Sequence, residues 1–196
     1  MENRDIERTG ARSSGGRVFS LLPGFGDQVL FWSVGLAIFG FDLWSKKAVF
    51  SWLIEKPGHE YSIIDGFLKF VLAVNPGAAF GMASGKRVFL VAVAAIALIL
   101  VVGVFLAGKV RSRLMIFALG LFGGGVAGNF YDRAFNDGLV RDFIDVYWGS
   151  HHWPAFNVAD SALCVAVAII VFLNFRAIDP KSDQKHVQQH TQEHSQ

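Results

Sequence analysis

The sequence predicts an all-α membrane protein, a bundle of four transmembrane helices with a small β-sheet on its outer face. Of the 196 residues, 53% are hydrophobic, and the mean hydropathy of +0.41 is too high for an ordinary soluble domain. Four apolar runs are each about as long as the 20 residues that cross a bilayer. The net charge is only +2, but the basic residues cluster in alternate segments between the runs.

We expect one membrane domain over residues 28–176, with cytoplasmic tails at 1–27 and 177–196. The N-terminal tail is polar and is expected to be flexible, and it lacks the apolar region and cleavage site of a secretory signal peptide. The C-terminal tail is rich in Gln and His and is expected to be disordered, without the spacing of a metal site. The single cysteine, Cys164, excludes an internal disulfide and is interpreted as a small buried hydrophobe.

The first span carries two charges near its far end. Asp42 and Lys46 are one helical turn apart on the same face. Two interpretations stay open: an interfacial pair in which Lys46 snorkels outward, or a pair that holds a substrate or an active-site loop. The predicted spans are residues 28–47, 88–107, 114–131 and 158–175.

Residues 48–87 change character, mixing charges, Gly and Pro with short β-branched and aromatic runs. Two strands are predicted at 61–64 and 67–74, joined by the turn-forming Asp65-Gly66. Because the backbone of such a sheet cannot be satisfied in lipid, we place this outer β segment outside the hydrocarbon.

A sharp turn follows the second strand. Asn75 precedes Pro76 and Gly77, and turn chemistry alone accounts for an Asn at this place.

The third span contains glycines at intervals of four, Gly120, Gly124 and Gly128. This spacing places all three on one face, which predicts close approach of a neighbouring helix.

Polar residues follow the glycines in the same helix. Asn129 and Asp132 lie near one helical face, with Arg133 beside them. We interpret the three mainly as a structural network at the interface.

The basic residues predict the orientation. By the positive-inside rule, both tails and the loop between spans two and three are cytoplasmic. The outer β segment, the Asp42–Lys46 pair and the acidic loop before span four then share the opposite face. The basic residues are Arg4, Arg8, Arg12, Arg17, Lys109, Arg111, Arg113, Arg176, Lys181 and Lys185.

The chemistry is concentrated in residues 123–160, which hold five of the sixteen acidic residues although long apolar runs lie on both sides. Carboxylates beside hydrocarbon are costly and indicate a functional site. Asp137 and Asp145 are interpreted as exposed loop acids. The adjacent His151 and His152 have no spaced partner, so we interpret them as interfacial residues and predict no metal site.

Asp142 and Asp160 are the candidates for a catalytic pair. Asp142 is predicted in the loop before span four, and Asp160 about one turn inside that span, three residues after a capping Asn157. Two carboxylates held close share a proton, and such a pair can activate water and protonate a leaving group. The helix N-terminus favours an ionised Asp160 and hence a protonated Asp142. The alternatives are a plain helix N-terminal carboxylate and an exposed loop acid.

Five motifs in this order resemble bacterial lipoprotein signal peptidase, also called signal peptidase II, over roughly residues 28–176. They are Asp42-x-x-x-Lys46, Asn75-x-Gly77-x-x-Phe80, Gly125-x-x-x-Asn129-x-x-Asp132-Arg133, Val140-x-Asp142-Phe143 and Phe156-Asn157-x-Ala159-Asp160-Ser161.

The resemblance implies an aspartic endopeptidase of the bacterial inner membrane. It would remove the signal peptide of diacylglyceryl-modified prolipoproteins on the N-terminal side of the lipidated cysteine. Asp142 and Asp160 would be the catalytic pair. No cofactor, metal or nucleic acid is implied, the partners are prolipoproteins and membrane lipids, and a monomer is expected. The residues expected around the substrate or in support are Asn75, Gly77, Gly125, Asn129, Asp132, Arg133, Asn157, Asp42 and Lys46.

Two residues depart from the pattern expected of this family. Arg141 stands where an apolar residue usually precedes the catalytic Asp, and Pro76 follows Asn75. Neither removes a catalytic group, but Arg141 is expected to perturb the charge of Asp142.

Other classes of membrane protein fit the sequence less well. A proton-coupled transporter would show internal repeats and broken helices in mid-membrane, whereas these acids cluster at one predicted surface. A membrane scaffold needs no acid pair. A presenilin-like protease requires a Gly-x-Gly-Asp signature within a span, and the predicted spans lack it.

Overall fold

Four long helices dominate the computed structural model, which describes residues 22–77 and 83–177. All four are long and apolar enough to cross a membrane, and each predicted span falls on one of them. Most of both predicted tails lies outside the described residues. The helices are α1 (Phe25–Ile54), α2 (Arg87–Leu106), α3 (Arg113–Phe135) and α4 (Val158–Ala177).

Helix α3 lies at the centre and packs against α1, α2 and α4. Its glycines allow α1 to approach closely, as their spacing predicts. A Cβ on Gly124 would lie only 2.6 Å from the Gly35 carbonyl oxygen, and one on Gly120 would lie 3.0 Å from that of Phe31.

The cytoplasmic end predicted for the bundle is held together by aromatic and aliphatic packing. Phe31 of α1 stacks on Phe105 of α2, with ring centroids 4.0 Å apart. Val101, Ile116 and Leu119 complete this buried cluster. Apolar packing therefore joins α1, α2 and α3 at the end of the bundle away from Asp142 and Asp160.

The described strands form one antiparallel sheet in the order β1-β2-β3-β4. The prediction of strands on either side of Asp65-Gly66 is confirmed, but the prediction of a loop before span four is wrong, because that segment contains the nine-residue β3. The two acidic residues of this strand, Asp142 and Asp145, had indicated a loop, but both are buried. The strands are β1 (Glu60–Ile64), β2 (Leu68–Asn75), β3 (Val140–Trp148) and β4 (His151–His152).

Helix α1 carries the sheet. Its 30 residues make it about 45 Å long at 1.5 Å per residue, more than the roughly 30 Å of bilayer hydrocarbon. Residues 48–54, placed in the outer β segment by the sequence, are helical and extend α1 toward β2 and β3. Trp52 packs edge-on against Tyr61 of β1, 4.9 Å between ring centroids. The extra turns of α1 therefore hold the sheet over one end of the bundle.

The glycine contact leads to a prediction for stability. Gly124→Ala is expected to lower the free energy of unfolding by about 1–3 kcal/mol, because the added methyl group overpacks the α1–α3 contact. Gly103→Ala is the matched control, since a Cβ there meets nothing within 4 Å and Ala favours a helix by up to about 1 kcal/mol. Unfolding in detergent, followed by circular dichroism, measures both. Equal stabilities would contradict close packing at Gly124.

Candidate active site

The sheet and the start of α4 bring Asp142 and Asn157 together. In the β2–β3 register, Ala73 is opposite Asp142 and Asn75 is opposite Val140. The other side of β3 binds the segment before α4, where the backbone N–H groups of residues 143 and 144 donate to the Phe156 carbonyl oxygen at 3.0 and 2.9 Å. This pairing places Asn157 next to the Asp142 side chain.

Asn157 contacts both predicted catalytic carboxylates. Its side-chain Nδ2 donates to Asp142 Oδ1 at 2.6 Å, and its backbone N–H donates to Asp160 Oδ2 at 3.2 Å. Its Oδ1 accepts the Asp160 backbone N–H at 3.0 Å, which completes a reciprocal cap of α4. Asn129 of α3 donates to Asp160 Oδ1 at 2.7 Å. The capping role predicted for Asn157 is thus correct, but Asn157 also links the two acids.

The two carboxyl groups have different environments. Asp142 is 2% exposed, and burial, followed by the charge of Asp160, raises its pKa to about 7. Hydrogen bonds from Asn157 and Asn75 act in the opposite direction. Asp160 is only partly buried. The raised pKa of Asp142 agrees in direction with the protonation expected from the sequence.

A cavity of about 520 Å³ opens beside Asp160. Apolar side chains form most of its wall, and Asp160 and Arg133 are the charged groups on it. A cavity of this kind suits a largely apolar ligand that makes a few polar contacts. Its lining residues are Asn75, Asn129, Arg133, Val140, Trp153, Pro154, Ala155, Phe156, Asp160, Ser161, Leu163 and Cys164.

Lys46 is fully buried at the junction of α1 and α3. Its Nζ lies 2.7 Å from Asp42 Oδ2 and 3.4 Å from Asp132 Oδ2, and it donates to Asn129 Oδ1 at 3.1 Å. The interpretation that Lys46 snorkels to the interface is therefore wrong. The ammonium group instead holds two buried carboxylates and the amide that contacts Asp160.

Asp42 joins α1 to the beginning of α4. Its Oδ1 accepts the Ala159 backbone N–H at 2.9 Å. The close approach needs glycine on α3: a Cβ on Gly128 would clash with the Asp42 carboxylate, and one on Gly125 would lie 2.7 Å from the Ala159 carbonyl oxygen. Gly128 and Gly125 are thus required by packing around the site.

Arg133 fixes the turn after β2. It donates to the Gly77 carbonyl oxygen at 2.8 Å and to the Asn129 carbonyl oxygen at 3.3 Å. Asn75 Oδ1 in turn accepts the Gly77 backbone N–H at 2.9 Å. The turn chemistry predicted for Asn75 is correct, but Asn75 also lies on the cavity wall and near enough to Asp142 to lower the pKa of that carboxyl group, so it belongs to the site.

Of the two presumed loop acids, only Asp137 is exposed, with 98% of its side chain accessible. The interpretation of Asp145 is wrong: it lies in β3, is 7% exposed, and its Oδ2 is 2.8 Å from His152 Nδ1. Within residues 22–77 and 83–177, no group of three or more His, Cys, Asp and Glu side chains could hold a metal ion.

Arg141 makes a contact that sequence reasoning missed. Its Nη2 donates to Asp132 Oδ1 at 2.6 Å, and its Nε and backbone N–H donate to Oδ2 at 3.3 and 3.0 Å. The guanidinium group is thus directed at Asp132. Nothing in the spacing of the two residues, nine apart across a turn, indicates this pairing before β3 is known.

Comparison with known proteins decides the family. A family model described as signal peptidase (SPase) II matches residues 34–176. The chain belongs to the signal peptidase II family. It is therefore an aspartic-type membrane protease, and its four helices make it a multi-pass membrane protein.

Relatives in bacteria agree with this assignment. The lipoprotein signal peptidase of Sulfurihydrogenibium sp. is 38% identical over 72% of this chain and 88% of its own length. That of Aquifex aeolicus is 33% identical over 74% of this chain and 86% of its own. A solved structure of a bacterial membrane enzyme is similar with a TM-score of 0.69 and 30% identity, covering 83% of this chain and 95% of that one. The similarity of this chain to known proteins thus includes both sequence and fold.

The Lys46 contacts predict a large effect on stability. Lys46→Met leaves the buried charges of Asp42 and Asp132 without their shared cation, so it is expected to lower the free energy of unfolding by about 3–5 kcal/mol. Lys47→Met removes an exposed charge from the next position and should change it by less than about 0.5 kcal/mol. Unfolding of the purified proteins in detergent tests this. A Lys46→Met protein as stable as Lys47→Met would show that the buried network is unimportant for stability.

Proposed function

We propose that this protein cleaves diacylglyceryl-modified prolipoproteins on the N-terminal side of the lipidated cysteine, with Asp142 and Asp160 as the catalytic dyad. Membership of the lipoprotein signal peptidase family supports the removal of lipoprotein signal peptides. The observation that carries the dyad is that one residue, Asn157, hydrogen-bonds both carboxyl groups beside an apolar cavity.

Asp160 is the base and Asp142 the acid. Both Asp160 oxygens accept N–H donors, from Asn129 and Asn157, an arrangement that suits a carboxylate at a helix N-terminus. Asp142 keeps a proton because its pKa is raised to about 7. The differing environments thus assign the two roles.

Water is the nucleophile. As an O–H bond of water breaks, Asp160 takes the proton and the oxygen bonds to the scissile carbonyl carbon, while Asp142 gives its proton to the carbonyl oxygen. The resulting gem-diol returns a proton to Asp142. When the C–N bond then breaks, the proton held by Asp160 goes to the leaving amine, and the dyad is back in its starting state.

The remaining site residues position the dyad. Asn129 holds Asp160, Asn75 holds Asp142, and Asp42 holds the first turn of α4. Lys46 and Asp132 anchor Asn129, and Arg133 anchors the Asn75–Gly77 turn. Gly125 leaves room for α4. None of these roles requires a metal or a cofactor.

The sheet would hold the substrate at the outer surface of the bacterial inner membrane. The 1–27 and 177–196 tails would be cytoplasmic, residues 28–176 would form the peptidase domain, and the protein would act as a monomer. A lipidated peptide lies partly in the bilayer, so its scissile bond is presented at the leaflet boundary. Exposed apolar side chains on the strands, including Tyr61, Ile64 and Trp148, support a membrane-facing sheet.

The dyad is tested by neutral variants. Asp142→Asn and Asp160→Asn are each expected to lower kcat by about 100-fold or more, because neither amide can exchange the required proton. The assay is cleavage of a diacylglyceryl-modified prolipoprotein by purified protein in detergent. Asp137→Asn, which removes an exposed acid, is the matched control and should keep wild-type activity. Full activity in either dyad variant would exclude the proposed roles.

The pKa of Asp142 predicts the pH dependence. Since the acid must be protonated, kcat/KM should fall as the pH rises through about 7, and it should fall again at lower pH as the base becomes protonated. Both limbs report the coupled pair. The wild-type protein and Asp137→Asn should give the same bell-shaped pH profile of kcat/KM. A profile with no acidic limb at or below neutrality would rule out a carboxylate base.

A further inference from the structure

Four charged side chains form a continuous series of contacts that adjoins the dyad through Asn129. Asp42 and Lys46 come from α1, Asp132 from α3, and Arg141 from β3; each contacts the next at 2.7, 3.4 and 2.6 Å. The first three are completely buried, whereas the Arg141 side chain is 22% exposed. The two carboxylates and the two cations balance to zero net charge.

We propose that Arg141 is a positioning residue for the peptidase reaction. Its guanidinium group neutralises Asp132, so that Lys46 keeps its hydrogen bond to Asn129 and no excess negative charge faces the dyad. This inference rests on the proposed function of Asp142 and Asp160.

The link from Arg141 to Asp160 consists of four contacts, which run through Asp132, Lys46 and Asn129 in turn. Arg141 holds both oxygens of Asp132 through three N–H donors. Lys46 is the only other cation that contacts Asp132 in the described part of the chain. In the structure the Lys46 ammonium group is 3.1 Å from Asn129 Oδ1. Without Arg141, the whole charge of Asp132 acts on Lys46 and draws the ammonium group away from that oxygen.

The orientation of the Asn129 amide depends on that ammonium group. Asn129 Oδ1 accepts from both Lys46 and Asn157, so its Nδ2 is free to donate to Asp160. An amide turned the other way would place an oxygen against the Asp160 carboxylate and a donor against the ammonium. Lys46 and Asn157 together therefore orient this amide so that Asn129 donates to Asp160 Oδ1.

Other charged groups face the same region and enter the balance. Arg133 of α3 lies close enough to Asp132, Asp142 and Asp160 to interact with each of them electrostatically. Arg87 of α2 binds the Arg133 and Ala134 carbonyl oxygens at the end of α3. These cations stay in place when Arg141 is changed, so loss of Arg141 adds one net negative charge beside the dyad.

The experiment is a pH profile of kcat/KM for the full chain in detergent, with a synthetic diacylglyceryl-cysteine peptide that spans the cleavage site. Arg141→Leu should move the acidic limb to higher pH by about 0.5–1 unit, because the added negative charge opposes ionisation of the base. Asp132→Asn should move it to lower pH. The double variant restores the charge balance and should return the limb to within roughly 0.3 units of wild type.

Two controls separate charge from shape. Arg141→Lys keeps the cation and should retain most of the wild-type profile. Lys69→Leu removes a cation from the neighbouring strand, where its partner Glu60 is 53% exposed, and solvent screening should leave the limb unchanged. If Arg141→Leu does not fold, the downward shift in Asp132→Asn remains required.

The outcomes are distinct. An upward shift in Arg141→Leu that the second substitution reverses supports the inference. A uniform decrease in activity at every pH, with the acidic limb unmoved in both the single and the double variant, overturns the inference. That result leaves the proposal of the dyad intact. Failure of the wild-type protein to cleave the lipidated peptide overturns the proposed function itself.

Discussion

The buried ammonium group of Lys46 is the interaction on which the site depends. A cation removed from water is costly unless its donors and its charge are both satisfied, and Lys46 meets that requirement with Asp42, Asp132 and Asn129. These partners lie on α1 and α3, and Asp42 also binds the first turn of α4. One charge thus fixes the relative positions of three helices at the end of the bundle where Asp142 and Asp160 lie.

Close helix packing is the condition for this arrangement. The Lys46–Asp132 ion pair between α1 and α3 and the hydrogen bond from α4 to Asp42 require backbones nearer than ordinary side chains allow, and glycine on α3 provides the space. Gly124 faces α1, Gly125 faces α4, and Gly128 lies against the Asp42 carboxylate. The same helix also carries Asn129 and Asp132 one turn further on, so the packing surface runs directly into the polar network.

The asymmetry of the dyad also comes from the tertiary structure. Asp142 is enclosed by β2, β3 and the Asn157 side chain and is almost inaccessible, whereas Asp160 lies on the cavity wall. Burial disfavours the charge on the first, and N–H donors at a helix start favour it on the second. Two chemically identical side chains are therefore placed in different environments, one enclosed by the protein and the other open to the cavity.

The sequence by itself determined the four helices, the hairpin around Asp65-Gly66 and the family, and it led to the proposal of Asp142 and Asp160 as the catalytic pair. Length, hydropathy, turn residues and motif spacing are local properties, so they can be read along the chain. Only the tertiary structure decided that the segment around Asp142 is a strand, that Asp145 is buried, that Lys46 is internal, and that Arg141 contacts Asp132. These features depend on which distant segments meet, and the energy of a charged side chain follows from its partners and its burial, neither of which is encoded in local spacing.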